Sequence, residues 1–425
     1  MEKLLLERAG RIHLNRGGGC RAGSSPGPGR AARSSSPPAA PDLGESPMPM
    51  PLLKVRPEDF RVTEVLGLPT ASRAASTHTY LRLWKNGVTT HEALGGLAAA
   101  LGVAAQDTAA AGLKDEDGVT EQYISVRGLL SDRDLERANA AGRSPGGDRI
   151  WRVSAHATGT AALRTGVLDG NHFQLVVRGL DEAAAAALDE GPGRHQHFFV
   201  NYYDTQRFGV PGGPKQTHLI GRALLAGDEE AAFRLLRRSG SAEGARALVH
   251  EGTAEEFWRL LDPRVPVFYR CADASYAWNA QVRALLTEVV GGARVAHMDR
   301  DGIPYAFATA RDVVPALLAL RPELDYVRYR WTDGSCVRST AARPTVLQTH
   351  ITVSGVGPDE LHPGRFAATI SFFLPSGGYA TTAVHQWFLQ MFGAESATRE
   401  DAAPSQDGAN PQDGATAVPA GSTIA

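Results

Sequence analysis

Cysteine is nearly absent from this chain of 425 residues: Cys20, Cys271 and Cys336 are all there is, with no C-x-x-C pair among them. Thiols so few and so scattered exclude a disulfide framework or a cysteine-built zinc site, and they fit a reducing, cytoplasmic compartment. Long apolar runs are missing as well. The longest, such as Ala183–Leu188, are short and alanine-rich, which excludes a membrane-spanning helix. Excess charge of either sign is also lacking. A formal net charge of −2 excludes a uniformly basic nucleic-acid binder and leaves a local basic stripe as the way to hold phosphates.

Cofactor motifs are equally scarce. Gly209 to Lys215 has Pro214 where a phosphate loop needs its second glycine, and there is no G-x-S-x-G elbow and no G-x-G-x-x-G after a strand. His195 and His197 make a lone H-x-H with no third ligand in view. The reading is therefore of no metal and no cofactor.

What is present is an ordinary globular composition, 43% apolar and 21% charged, on a chain long enough for two packed domains. Residues 1–50 are rich in Gly, Pro, Ser, Ala and Arg, and 396–425 in Ala, Gln, Asp, Gly and Pro. Neither end holds enough large apolar residues to offset the entropy of ordering, so both read as disordered. The Arg-rich, acid-poor leader fits either a transit peptide or a true start at Met48 or Met50.

Between these ends, strand and helix signals alternate. Tyr80, Arg82 and Trp84 alternate with Thr79, Leu81 and Leu83, the period of a half-buried strand. After the Asn86-Gly87 turn, Thr89 to Glu92 form a T-x-x-E capping box, Leu94, Leu97 and Leu101 follow at helical spacing, and Gly102 ends the helix. Alternation predicts further strands at Tyr123–Arg127, Phe173–Arg178 and Ala368–Phe372. His218–Ala226, Gly227 and an Asp228-capped helix with Ala232, Leu235 and Leu236 inward make a helical hairpin.

Three polar segments could carry chemistry. Ala111–Gln122 is dense in Lys, Asp and Glu; by itself it reads equally as a solvated acidic turn. Asn201–Gly209 interleaves aromatics, amides and Arg, suited to stacking bases or to an aromatic corner at a domain junction. Gly170–Phe173 sets an Asn and a Phe at the mouth of a strand, where an amide can read a base edge and a ring can stack on it.

In this order the segments resemble the TruD family of tRNA pseudouridine synthases. Its K-x-x-P-E-D-F-x-V-x-E motif is matched by Lys54–Glu64, A-G-x-K-D-x-x-x-V-T-x-Q by Ala111–Gln122, and G-N-x-F by Gly170–Phe173. N-Y-F-G-x-Q-R-F-G is matched by Asn201–Gly209, and the closing F-x-L-P-x-G-x-Y/F-A-T by Phe372–Thr381. Two departures stand out: Glu116 follows Asp115 where the family commonly has Arg or Lys, and Tyr203-Asp204 replaces Phe-Gly.

The resemblance implies an α/β (α+β) fold: a pseudouridine synthase domain with a mixed antiparallel sheet (51–200 and 346–395), interrupted by an α/β insertion domain (201–345). It implies a monomeric isomerase that needs no cofactor and acts on tRNA, at the D-arm uridine called position 13. Asp115 would be the catalytic carboxylate, as nucleophile or as base. Lys54, Phe60, Lys114, Asn171, Phe173 and Arg207 would bind substrate, with the two phenylalanines stacking and Asn171 reading the base. A rival reading keeps the scaffold as a non-catalytic tRNA-binding or RNA-folding protein, motivated by the lost cation after Asp115.

Overall fold

The computed structural model describes residues 50–400 apart from 144–148, 165, 192 and 292–293, and no side chains over 393–400. The predicted leader, but for Met50, lies outside the described residues, as does the tail past Glu400. The last helix, Ala380–Glu400, carries on into the segment assigned to the tail, because Ala, Glu and Arg there extend a helix that Trp387 and Phe388 anchor.

A nine-stranded mixed sheet organises the molecule. Its strands are β1 (Phe60–Val65), β2 (His78–Asn86), β3 (Thr108–Ala110), β4 (Val119–Arg127), β5 (Ile150–Gly159), β6 (Gly170–Leu180), β7 (Gly193–Val200), β12 (Val346–Pro358) and β13 (Phe366–Pro375). The order is β5-β2-β4-β1-β6-β13-β12-β7, with β3 set beside β4. β1 lies parallel to β4 and antiparallel to β6, so the first of the motif segments sits mid-sheet, flanked by the next two. Alternation explains this placement: Phe60, Val62 and Glu64 point inward from β1 while Arg61 and Val65 face water.

Two cores cover the sheet's halves. Helix Thr90–Leu101 buries Ala93 and Leu97 against Leu81, Leu83, Ile124 and Val126. Phe173, Leu175, Ile351 and Ile370 meet Trp387 and Phe388 of the last helix. The Thr89 capping box forms as the sequence predicts, and Gly102 takes a left-handed conformation (φ 70°) that a side chain would oppose.

Between β7 and β12 the chain leaves the sheet. It forms helices Thr217–Leu225, Glu229–Leu236, Ala242–Leu248, Ala254–Leu260 and the long Arg264–Val290, then hairpin β8–β9 (Val295–Arg300, Ile303–Ala308), helix Val313–Leu320 and hairpin β10–β11 (Glu323–Thr332, Ser335–Pro344). It returns beside its point of departure: Val200 pairs with Val346, and Asn201 N donates to Thr345 O at 2.8 Å. The predicted helical hairpin is present with Asp228 as its cap, and Phe233 joins Ala232 and Leu236 in its buried face.

A sealed ionic cluster ties the start of β1 to the far loop of β12. Arg178 donates to both oxygens of Asp59 (2.8 and 2.7 Å), to Asp359 (2.8 Å) and to Glu360 (3.0 Å). Burial alone would raise the Asp59 carboxyl, but the Arg178 bonds hold it below its ordinary value.

Candidate active site

The loop that follows β3 is fixed from beneath before any of its side chains is considered. Thr90 Oγ1 accepts from Lys114 N (3.0 Å) and donates to Gln122 Oε1 (2.9 Å), and Gln122 Nε2 donates to Gly112 O (2.9 Å). Below them Lys85, fully buried, donates its Nζ to Lys114 O (3.2 Å) and Asp115 O (2.5 Å). Burial pulls the Lys85 ammonium down to about 8, with Asp115 and Glu116 opposing the shift. The backbone on both sides of Asp115 is thus held by buried donors and acceptors, and the Asp115 carboxylate is the part left free to reach outward.

That carboxylate meets one cation. Lys54 Nζ lies 2.8 Å from Asp115 Oδ2, and their side chains keep 20% and 39% of their exposure. Lys54 holds a left-handed backbone (φ 56°), a strained choice for a long side chain, and its Nζ sits 4.1 Å from the centre of the Phe60 ring. Lys114 turns the other way: its ammonium is 2.9 Å from the buried Glu64 carboxylate, whose second oxygen accepts from Tyr123 N (2.8 Å). Adjacent residues of an extended segment point to opposite sides, which separates the two lysine–carboxylate pairs.

Asp115 and Lys54 open into a pocket of about 160 Å³. Its floor is aromatic: Phe173 stacks on Phe372 (5.4 Å, 24° between planes) and meets Phe60 edge-on (5.9 Å). Asn171 lines one wall, and its Oδ1 is buried with no partner among the described residues. A buried amide oxygen without a donor is costly unless a ligand supplies one. Opposite stand Gln206 and Tyr379, with Leu113 and Leu168 at the remaining side. Burial raises the Tyr379 phenol to about 12, so it stays a hydroxyl donor at neutral pH.

The structure therefore brings Lys54, Phe60, Lys114, Asp115, Asn171 and Phe173 to one pocket. Arg207 is not among its lining residues; its guanidinium donates to Ser275 (3.3 Å) and lies over the Phe268 ring (5.0 Å). Arg207 stands next to Gln206, which does line the pocket, and its contacts with Ser275 and Phe268 set it against the long helix.

Lys85, Gln206 and Tyr379 were absent from the expected set. Lys85 carried a signal: it follows Leu81 and Leu83 on the buried parity of β2, where an amine stands in an apolar position. Both departures noted in the sequence have partners here. Glu116 and Glu92 share Arg149 (3.4 and 2.7 Å), while Asp204 pairs with Arg300 (3.1 Å) and accepts from Thr205 N.

The class so defined is a mixed-sheet α/β protein whose Asp115 carboxylate, paired with Lys54, stands over an aromatic-floored pocket. Comparison with known proteins gives the class its family: a family model described as tRNA pseudouridine synthase D (TruD) matches residues 49–264, and the chain belongs to the TruD family. A tRNA pseudouridine synthase D of Anaeromyxobacter sp. (strain Fw109-5) is 43% identical over 191 residues, covering 44% of this chain and 49% of that protein. The same-named protein of Geobacter sulfurreducens is 37% identical, covering 44% and 42%. The matched region thus spans about half the length of these curated relatives. A crystal structure of a putative tRNA pseudouridine synthase D from Methanosarcina mazei aligns over 80% of this chain and 93% of that one, at 18% identity and a TM-score of 0.49.

Proposed function

We propose that this protein isomerises a uridine of tRNA to pseudouridine, with Asp115 as the catalytic group. The observation that carries the proposal is the Asp115 carboxylate itself, partly exposed beside stacked phenylalanines and, among the described residues, ion-paired only with Lys54. Pseudouridine formation breaks the bond between N1 and C1′, turns the uracil and rejoins it through C5. The C5 proton is lost and N1 gains one, so the reaction needs no net oxidant and no group donor.

The chemistry requires an ionised carboxylate beside the ribose, as nucleophile at C1′ or as base at C2′, and Asp115 serves either route. Lys54, bonded to Asp115 and set over the Phe60 ring, fixes the direction of the carboxylate. The extruded base would stack on the Phe173 edge of the floor, with the uracil N3–H donated to the unpartnered Asn171 oxygen. The target that best suits the family pattern is the D-arm uridine at position 13. We further read 51–200 with 346–395 as the catalytic domain and 201–345 as an inserted one, acting as a monomer in the cytoplasm.

The test is carbodiimide mapping of tRNA transcripts after incubation with wild-type and Asp115→Asn protein. Pseudouridine at one site with wild type alone is the expected result. Tight tRNA binding with no product from wild type would mark a non-catalytic RNA-binding protein instead.

A further inference from the structure

Leu113 stands two places from Asp115, lines the same pocket, and is 67% exposed. Beside it Val167 is 49% exposed, and Leu168 lines the pocket with Leu113. Single exposed leucines are common on protein surfaces. Here Leu113 and Leu168 give an apolar lip to a pocket that also holds Lys54, Asp115 and Asn171.

The lip is also rigid. Lys114 N is bound by Thr90, Gly166 N donates to Ala111 O (3.3 Å), Asp169 N donates to Val65 O (3.2 Å), and Leu163 N donates to the buried Ser125 hydroxyl (2.9 Å). These bonds tie the backbone on either side of the leucines, and Leu113 stands exposed at the pocket.

Resting on the isomerase reading, we propose that this lip is the contact surface for the bases flanking the target. Leu113 enters the stack as the uridine leaves it and fills the gap the base vacates. A uridine in folded tRNA is extruded only if the cost of unstacking is met, and an apolar wedge placed between base steps is a physical means of meeting it. A charged side chain in that position would lose its hydration in the stack, whereas leucine loses none. The occupant is therefore structured RNA, and the lip should matter least where the uridine is already unstacked.

Leu113→Ala is compared with wild type on a folded tRNA and on a short unstructured RNA carrying the same target sequence. The expected result is that kcat/KM on the folded tRNA falls about tenfold more than on the unstructured RNA; equal losses on both, or none on either, overturn the wedge. Fluorescence of 2-aminopurine beside the D-arm uridine reports unstacking without requiring product. A rise on binding Asp115→Asn protein that shrinks several-fold when Leu113→Ala is added supports the lip even if wild type makes no pseudouridine, an outcome that would sink the isomerase reading alone. A rise unaffected by Leu113→Ala, or absent from both, overturns the lip whatever the product assay gives.

Discussion

Two places in this molecule join a carboxylate to a cation, and they are built to opposite ends. At Arg178 the guanidinium is fully buried against Asp59 and Asp359, and every oxygen of those carboxylates is engaged by Arg178, Arg56, Gly179, Leu361 or His362. At Lys54 the pair is partly open: among the described residues a single ammonium contacts one oxygen of Asp115, and both residues line the pocket. Saturation makes the first pair structural; incomplete saturation makes the second available to a substrate.

Breaking the open pair should be felt in turnover. Asp115→Asn is expected to lower kcat by about a thousandfold or more, since the side chain is the reacting group. Urea unfolding should move by no more than about 1 kcal/mol, because exposed pairs contribute little. A large loss of stability would put Asp115 with the sealed pair.

Breaking the sealed pair should do the reverse. Arg178→Met strands two buried carboxylates and is expected to destabilise by about 3–5 kcal/mol in urea titration, with turnover per folded molecule little changed. Its acid limb should change too. Asp59, Asp359 and Glu360 are held below their unfolded values, Glu360 to about 2, so their stabilisation is present above about pH 4.5 and lost on acidification through the folded values. Arg178→Met should flatten that loss, as read by unfolding at stepped pH.

Lys54→Gln is a milder probe of the open pair, keeping a donor and removing the charge. About ten- to hundredfold lower kcat/KM is expected, without a matching loss of stability. An unchanged rate would show that Asp115 needs no cation.

The smallest effect concerns Lys85, beneath the open pair. Its folded value of about 8 lies below the unfolded 10.5, so above pH 8 the unfolded chain holds a proton that the folded chain has lost, and stability rises with pH. A rise of about 1 kcal/mol per pH unit between roughly pH 8 and 9.5 is expected in urea titrations, absent from Lys85→Met.

Local chemistry was legible in the sequence where it depends on near neighbours. The Thr89 capping box, the Gly102 stop and the alternation of β2 were all read from residues a few places apart. Lys114, expected among the substrate-binding residues, lines the pocket while its ammonium pairs with the buried Glu64 carboxylate. The far wall of the pocket was not legible, because Gln206, beyond β7, and Tyr379, beyond β13, join Asp115 in one pocket only through the sheet order β1-β6-β13-β12-β7. The Arg178 cluster is hidden for the same reason: Asp59 and Asp359 lie on opposite sides of it in sequence, 119 and 181 residues away.

The chain that leaves at Val200 and returns at Val346 does so through two paired strand ends, as a hairpin turn would. An excursion hung there adds mass without disturbing the register on either side, so it can lengthen, shrink or be exchanged while the sheet keeps its address. The two strands also act as a hinge pin with a zipped base. Force applied to the excursion arrives at β7 and β12 together, at the sheet edge farthest from β5, and also at the pocket itself, which Gln206 lines just beyond β7.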